Sequence, residues 1–143
     1  MLGIRCKGGA LTGIDFLPGS AKPEPACCAL SVTICAQLLS YLENPLFQFS
    51  VPLKLQGSAH QLKVWHALSD IRCGQTRSYG ELAHELKSSA QAVGQACGSN
   101  PIPVIIPCHR VVSRAGLGGF MRCSKGDSLK IKHWLLVHEG ACA

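Results

Sequence analysis

The chain has no Cys-x-x-Cys pair. It also has no apolar run near the roughly 20 residues needed to cross a bilayer and few charges for its length. The spacing excludes the common zinc modules: Cys27 and Cys28 are adjacent, while Cys6, Cys35, Cys73, Cys97, Cys123 and Cys142 are scattered. No bound metal is expected. The first residues, Met1 to Lys7, contain no apolar stretch long enough for a secretory signal, so a cytoplasmic protein without membrane attachment is expected. Nine cysteines could suggest a disulfide framework, but the number is odd and a reducing cytosol does not preserve disulfides. Free thiols are the better reading. A charged fraction of 15% is low for a disordered chain, and 47% hydrophobic residues over 143 positions can fill one compact domain with a small attached lobe.

What charge there is lies unevenly. Residues 1–53 balance Arg5, Lys7 and Lys22 against Asp15, Glu24 and Glu43. Residues 54–143 hold eleven Lys and Arg against five Asp and Glu, so the whole net charge of +6 belongs to them. A localised excess suits a polyanionic partner, because each phosphate contact releases condensed counterions. Ordinary solubility charge would look the same.

Along the chain, residues 3–7 and 10–16 predict two short strands around the tight turn Gly8-Gly9. Three prolines make residues 18–26 a loop. Leu30, Ile34, Leu38 and Leu42 predict a helix over 29–43 that Asn44-Pro45 ends, and Leu46, Phe47, Phe49 and Val51 predict a further strand. Residues 1–53 thus read as a small α+β lobe and residues 54–143 as the lobe that carries the chemistry. Ser58 with Gln61 forms a capping box for a helix to about Asp70, with Leu62, Trp65 and Leu68 as core contacts. After the turn 74–77, Ser78 with Glu81 opens a second helix to about Leu86. Ser89 caps a third, which Gly98 is placed to stop. Two short helices joined by a tight link fit a helix-turn-helix. The small residues Ala92, Gly94 and Ala96 would let the second helix approach a groove closely, and would equally let it pack inside a core.

Asn100-Pro101-Ile102-Pro103-Val104-Ile105-Ile106-Pro107-Cys108-His109-Arg110-Val111-Val112 follows. Three prolines in seven residues predict a stiff, extended, buried segment that presents Cys108 and His109 at fixed positions. A nucleophilic thiol reacts as its thiolate and needs a base or cation nearby; His109 supplies the base and Arg110 a positive charge. Neighbours on an extended chain point apart, so a bridging water or a local bend must carry the proton. A last helix contains Leu129, Ile131, Trp134, Leu135 and Leu136, and Glu139 beyond it could orient His109 to complete a Cys–water–His–Glu relay. A buried thiol beside a satisfied core histidine is the plain alternative.

The segment 100–112 resembles the active-site signature of the O6-alkylguanine-DNA alkyltransferases (methylated-DNA–protein-cysteine methyltransferases). Ser78-Tyr79-Gly80-Glu81-Leu82-Ala83, Ala92-Val93-Gly94 and Leu135-Leu136-Val137-His138-Glu139 are similar to flanking blocks in the same order. The likeness covers about 58–140; over 1–53 it is limited to Gly13-Ile14-Asp15-Phe16. It implies an α+β fold, with a small ribonuclease-H-like N-terminal lobe and a helical, winged-helix-like C-terminal lobe bearing the helix-turn-helix. It implies double-stranded DNA with an alkylated guanine as partner, entered from the minor groove, with the damaged nucleotide flipped into a pocket. Cys108 would take the alkyl group once and irreversibly, with His109 and Glu139 behind it. Tyr79 would assist the flip and protonate the leaving guanine, and Asn100 would link recognition helix to active site. Tyr79, Ala90, Gln91, Ala92, Gly94, Gln95 and Arg110 would face DNA; Val111, Gly118, Gly119 and Phe120 would line the base pocket. No cofactor is implied, because the substrate carries the alkyl group, and a monomer without an obligate protein partner is expected.

Two features depart from the family pattern. Gln91 stands where an arginine often precedes Ala-Val-Gly, which would weaken capture of the flipped base. Residues 118–127 replace the usual Gly-Tyr-x-Gly-Gly stretch, so Phe120 lacks a tyrosine's hydroxyl and the longer loop would change which alkyl groups fit. Two other classes compete: a lesion-binding protein without transfer, which would lack the reactive cysteine, and a transcription factor, which would carry a further regulatory domain.

Overall fold

A computed structural model describes residues 1–121 and 127–142. The chain divides into two compact units, 1–55 and 56–143.

The first unit opens with an antiparallel hairpin of β1 (Leu2–Lys7) and β2 (Ala10–Phe16), in register from Leu2 against Phe16 to Lys7 against Ala10 with a shift after Arg5. Gly8 and Gly9 turn it with φ of 60° and 76°, a conformation side chains disfavour. Helix α1 (Ala29–Glu43) packs on β1 and buries Ile34, Leu38 and Tyr41. Leu42, which fits the helical spacing, is exposed. The strand expected from Leu46, Phe47, Phe49 and Val51 does not form, and Leu46 is 71% exposed. The two phenylalanines instead pack edge to face at 5.5 Å, and Phe49 lies 5.6 Å from the Tyr41 ring. Pairing resumes only later, where Leu11 donates to the Pro52 carbonyl and accepts from Lys54. Prolines at 45 and 52 lack the N–H a continuous ladder needs.

The second unit is mainly helical. Both capping boxes form as the sequence predicts. Ser58 and Gln61 open α2 (Ala59–Ser69), and Ser78 and Glu81 open α3 (Tyr79–Glu85). Ser89 caps α4 (Ala90–Gly98) by accepting from the Ala92 amide at 3.1 Å. Helix α2 buries Val64, Trp65 and Leu68, and the Trp65 indole donates to the Ala96 carbonyl at 2.8 Å, fixing α2 against α4. Each such apolar side chain contributes roughly 1.5–3 kcal/mol when fully buried. Gly98 does not stop α4; it is the last helical residue, and the Ser99 amide closes the turn onto carbonyls behind it. Two short strands, β3 (Arg77–Ser78) and β4 (Val111–Val112), pair in parallel. They hold the start of α3 beside the segment that follows Cys108. Helix α5 (Asp127–His138) buries Lys132, Leu135 and Leu136, whereas Trp134 is half exposed and stacks on His138.

Residues 101–107 are not extended. Ile106 donates back to the Ile102 carbonyl at 2.9 Å, Pro103 bridges to Ile106, and Val104 takes a φ of 73°. The prolines stiffen a folded turn, whose Ile102, Val104 and Ile106 side chains are all buried.

Candidate active site

Asn100 is the first residue past α4 and its cap, and it is buried. Its side-chain amide donates to the Ile106 carbonyl at 2.8 Å, and its side-chain oxygen accepts from the Ile102 amide at 3.0 Å. One residue therefore staples both ends of the turn that leads to Cys108. Cys108–Arg110 then coil into a single 3₁₀ turn, with Arg110 donating to the Pro107 carbonyl at 3.1 Å. This is the local bend an extended chain would have lacked.

The Cys108 thiol is buried. Burial raises its pKa to about 11, opposed by a hydrogen bond from Asn100 and by the Lys132 charge. A thiol this weakly acidic needs a base. His109 is fully buried and its Nε2 lies 2.8 Å from Glu139 Oε1. Burial holds the imidazole below its ordinary value of 6.5, against the hydrogen bond and charge of Glu139. Burial would raise the Glu139 pKa, but hydrogen bonds from His109 and Arg110 and their charges lower it to about 2. An ionised carboxylate only accepts, so Nε2 carries the imidazole proton and Nδ1 is left as a lone-pair base. Nδ1 is buried and has no hydrogen-bond partner among the described residues.

Arg110, expected from the sequence to face DNA, turns its guanidinium inward. Its guanidinium donates to both oxygens of Glu139 at 2.9 Å and to the Ile71 carbonyl, and its side chain is only 13% exposed. A bidentate carboxylate pair uses up the fork that would otherwise meet phosphate.

Beside Cys108 opens a cavity of about 370 Å³. Tyr79, Ala90, Gln91, Gly94, Gly119 and Phe120, all named from the sequence, line it with Cys108. Tyr79 donates to the Gly119 carbonyl at 3.3 Å, and burial followed by the nearby Cys97 and Cys108 thiols pushes its pKa up to about 12. Gly118 (φ 72°) passes under the ring, where a Cβ would lie 2.8 Å from it. Val111 is buried and contributes no side chain to the lining. Ala92 and Gln95 line a separate depression with Ser58, His60 and Gln61. Residues 122–126 of the unusual loop lie outside the described residues.

Sequence reasoning missed four residues. Cys97, Gly98 and Met121 also line the cavity. Lys132 is fully buried, and its Nζ donates to the Val111 carbonyl at 2.6 Å and the Gly119 carbonyl at 2.8 Å. It lies 5.8 Å from the Tyr79 ring centroid. Burial lowers its pKa to about 8, against the pull of Cys108 and Cys97. Its signal was present in the spacing: it lies three and four residues before Leu135 and Leu136, on the buried face of α5. Among the described residues, no group of three or more His, Cys, Asp or Glu side chains could hold a metal ion. No described helix is long and apolar enough to cross a membrane.

Residues 59–141 match the family described as 6-O-methylguanine DNA methyltransferase, DNA binding domain. The chain belongs to that family. A methylated-DNA–protein-cysteine methyltransferase of Mycolicibacterium paratuberculosis is 43% identical over 106 residues, covering 72% of this chain and 61% of the relative. The chain thus spans about three fifths of that relative's length. The crystal structure of a Mycobacterium tuberculosis O6-methylguanine methyltransferase has a TM-score of 0.82 at 34% identity, over 99% of this chain and 87% of that one. A structure of Mycobacterium tuberculosis OGT in complex with DNA has a TM-score of 0.80 at 35% identity, over 98% and 86%. The mixed helix-and-strand architecture is therefore that of known O6-methylguanine methyltransferases. In this family member, Gln91 is exposed at the rim of the cavity, at the start of α4.

Proposed function

We propose that this chain binds double-stranded DNA at an O6-alkylguanine and transfers the alkyl group to the Cys108 sulfur. The observation that carries the reading is the buried pair His109–Glu139: the His109 Nδ1, a base with no hydrogen-bond partner among the described residues, is next in sequence to a cysteine that lines a cavity with room for a base. The relatives' names and the DNA complex of the Mycobacterium tuberculosis protein support it.

In the proposed reaction the thiol proton passes through a water to His109 Nδ1, and the sulfur attacks the alkyl carbon in line with the departing O6. The S–C bond forms as the C–O6 bond breaks, and the electron pair stays on guanine. Tyr79 gives its phenolic proton to the base and regains one from the His109 side, so the thiol proton ends on guanine. The developing imidazolium is stabilised by the Glu139 carboxylate. A thioether has no ready leaving group, so each molecule acts once, as a monomer. Helix α4 would enter the minor groove through Ala90, Gln91, Ala92, Gly94 and Gln95, with the nucleotide turned out into the cavity. We assign residues 1–53 as a ribonuclease-H-like lobe and 54–143 as a winged-helix-like lobe with the helix-turn-helix α3–α4.

A duplex in which O6-methylguanine blocks a restriction site tests this directly. Cleavage should be restored in proportion to protein added, stopping at one site per protein molecule. Sustained turnover, or no restoration at any protein excess, contradicts the reading.

A further inference from the structure

The N-terminal unit carries a thiol cluster that alkyl transfer does not use. Cys28 is the N-cap of the 15-residue helix α1, and its Sγ accepts from the Ser31 amide at 3.4 Å. The same sulfur lies 3.1 Å from the Ser31 hydroxyl. Cys6, on β1, places its Sγ 3.9 Å from that hydroxyl. Two sulfurs from different elements thus surround one oxygen, and Ser31 beneath them is buried. Cys28 is exposed and Cys6 half-buried.

We propose that Cys28 and Cys6 form a peroxide-responsive dithiol that closes as a disulfide between α1 and β1. Cys28 reacts first. The Ser31 hydroxyl, then the Ser31 amide, lower its pKa, with smaller help from the Leu30 amide and the Cys27 thiol. The positive end of α1 favours the same anion. The other perturbed thiols go the opposite way: burial raises Cys73, and pushes Cys97 to about 12 and Cys108 to about 11. The Cys28 thiolate attacks a hydroperoxide oxygen; the O–O bond breaks, giving a sulfenic acid and releasing hydroxide or alkoxide, which takes up the thiol proton. Cys6 then attacks the Cys28 sulfur, and its proton leaves with the sulfenic hydroxyl as water. Two thiols are oxidised and one peroxide is reduced. Cys27 is a poor second partner, because adjacent Cα atoms sit about 3.8 Å apart across a trans peptide, short of the roughly 4.4–6.8 Å that disulfides span.

The test uses the full, reduced chain treated with dilute hydrogen peroxide, quenched with N-ethylmaleimide and mapped by peptide mass. A Cys6–Cys28 linked peptide is expected before any other oxidised species, reversed by dithiothreitol. Cys28 should be consumed about tenfold faster than Cys35, an exposed thiol on the same helix. In Cys6→Ser, Cys28 should accumulate as a sulfenic acid that dimedone captures; in Cys28→Ser, Cys6 should stay reduced. The proposal is overturned if Cys28 and Cys35 oxidise at equal rates. It is equally overturned if Cys28 links to Cys27, or if wild-type Cys28 stays sulfenic with Cys6 free.

Discussion

Lys132 holds two backbone carbonyls, one on the strand after Cys108 and one on the loop under Tyr79, with a single ammonium group. Replacing it with methionine keeps the volume and removes both bonds. Leaving a buried carbonyl unpaired costs about 1–3 kcal/mol, so Lys132→Met should lower the unfolding free energy by that order. Transfer should slow more than stability suggests, roughly 100-fold, because the sulfur and the pocket loop would lose their mutual placement. Stopped-flow transfer rates beside urea titrations check this; an unchanged rate in a folded variant would remove Lys132 from the account. Other residues were easier to read from the sequence. Cys108, His109 and Glu139 were named because a thiol, a base and a carboxylate make chemical sense together, and His109 and Glu139 do meet at 2.8 Å. For Arg110 the sequence shows that a charge is present and not where its fork points. It points into Glu139.

At the scale of elements, local chemistry was legible and tertiary pairing was not. The caps at Ser58, Ser78 and Ser89 depend on residues three apart and form as expected. The parallel pair of Arg77–Ser78 with Val111–Val112 joins residues more than thirty positions apart and had no local signal. Prolines at 101, 103 and 107 were read as extension, yet the Asn100 side chain bonds both ends of a turn there. Helix α4 offers the prediction proper to this scale. Gln91 sits exposed at the cavity rim, and Gln91→Arg adds a charge at the proposed DNA face. Affinity for a lesion-bearing duplex should rise, and the salt dependence should steepen by about one unit of log–log slope. Equal affinity at matched salt would mean α4 does not meet DNA through that residue.

For the whole molecule, the buried ionic cluster ties folding to pH. The His109 pKa is depressed, so the unfolded chain binds more protons below about 6.5 and stability falls as pH drops past that point. Glu139 adds stability that is complete above its unfolded value of 4.5 and is lost as pH falls toward about 2. Urea midpoints should therefore decline from pH 6.5 and more steeply below 4.5. Glu139→Gln should destabilise the protein at neutral pH, by about 3–5 kcal/mol if the stranded Arg110 charge stays buried, and should flatten the acid limb. An acid limb unchanged in that variant would place the sensitivity elsewhere.

In the proposed reaction one particular sulfur receives the alkyl group, and the cavity itself supplies a rival, since Cys97 lines it beside Cys108. Peptide mass mapping after incubation with an O6-methylguanine duplex separates them. A single added methyl on Cys108, absent in Cys108→Ser, is the expected result. A methyl on Cys97, or no mark on folded protein, would contradict the account.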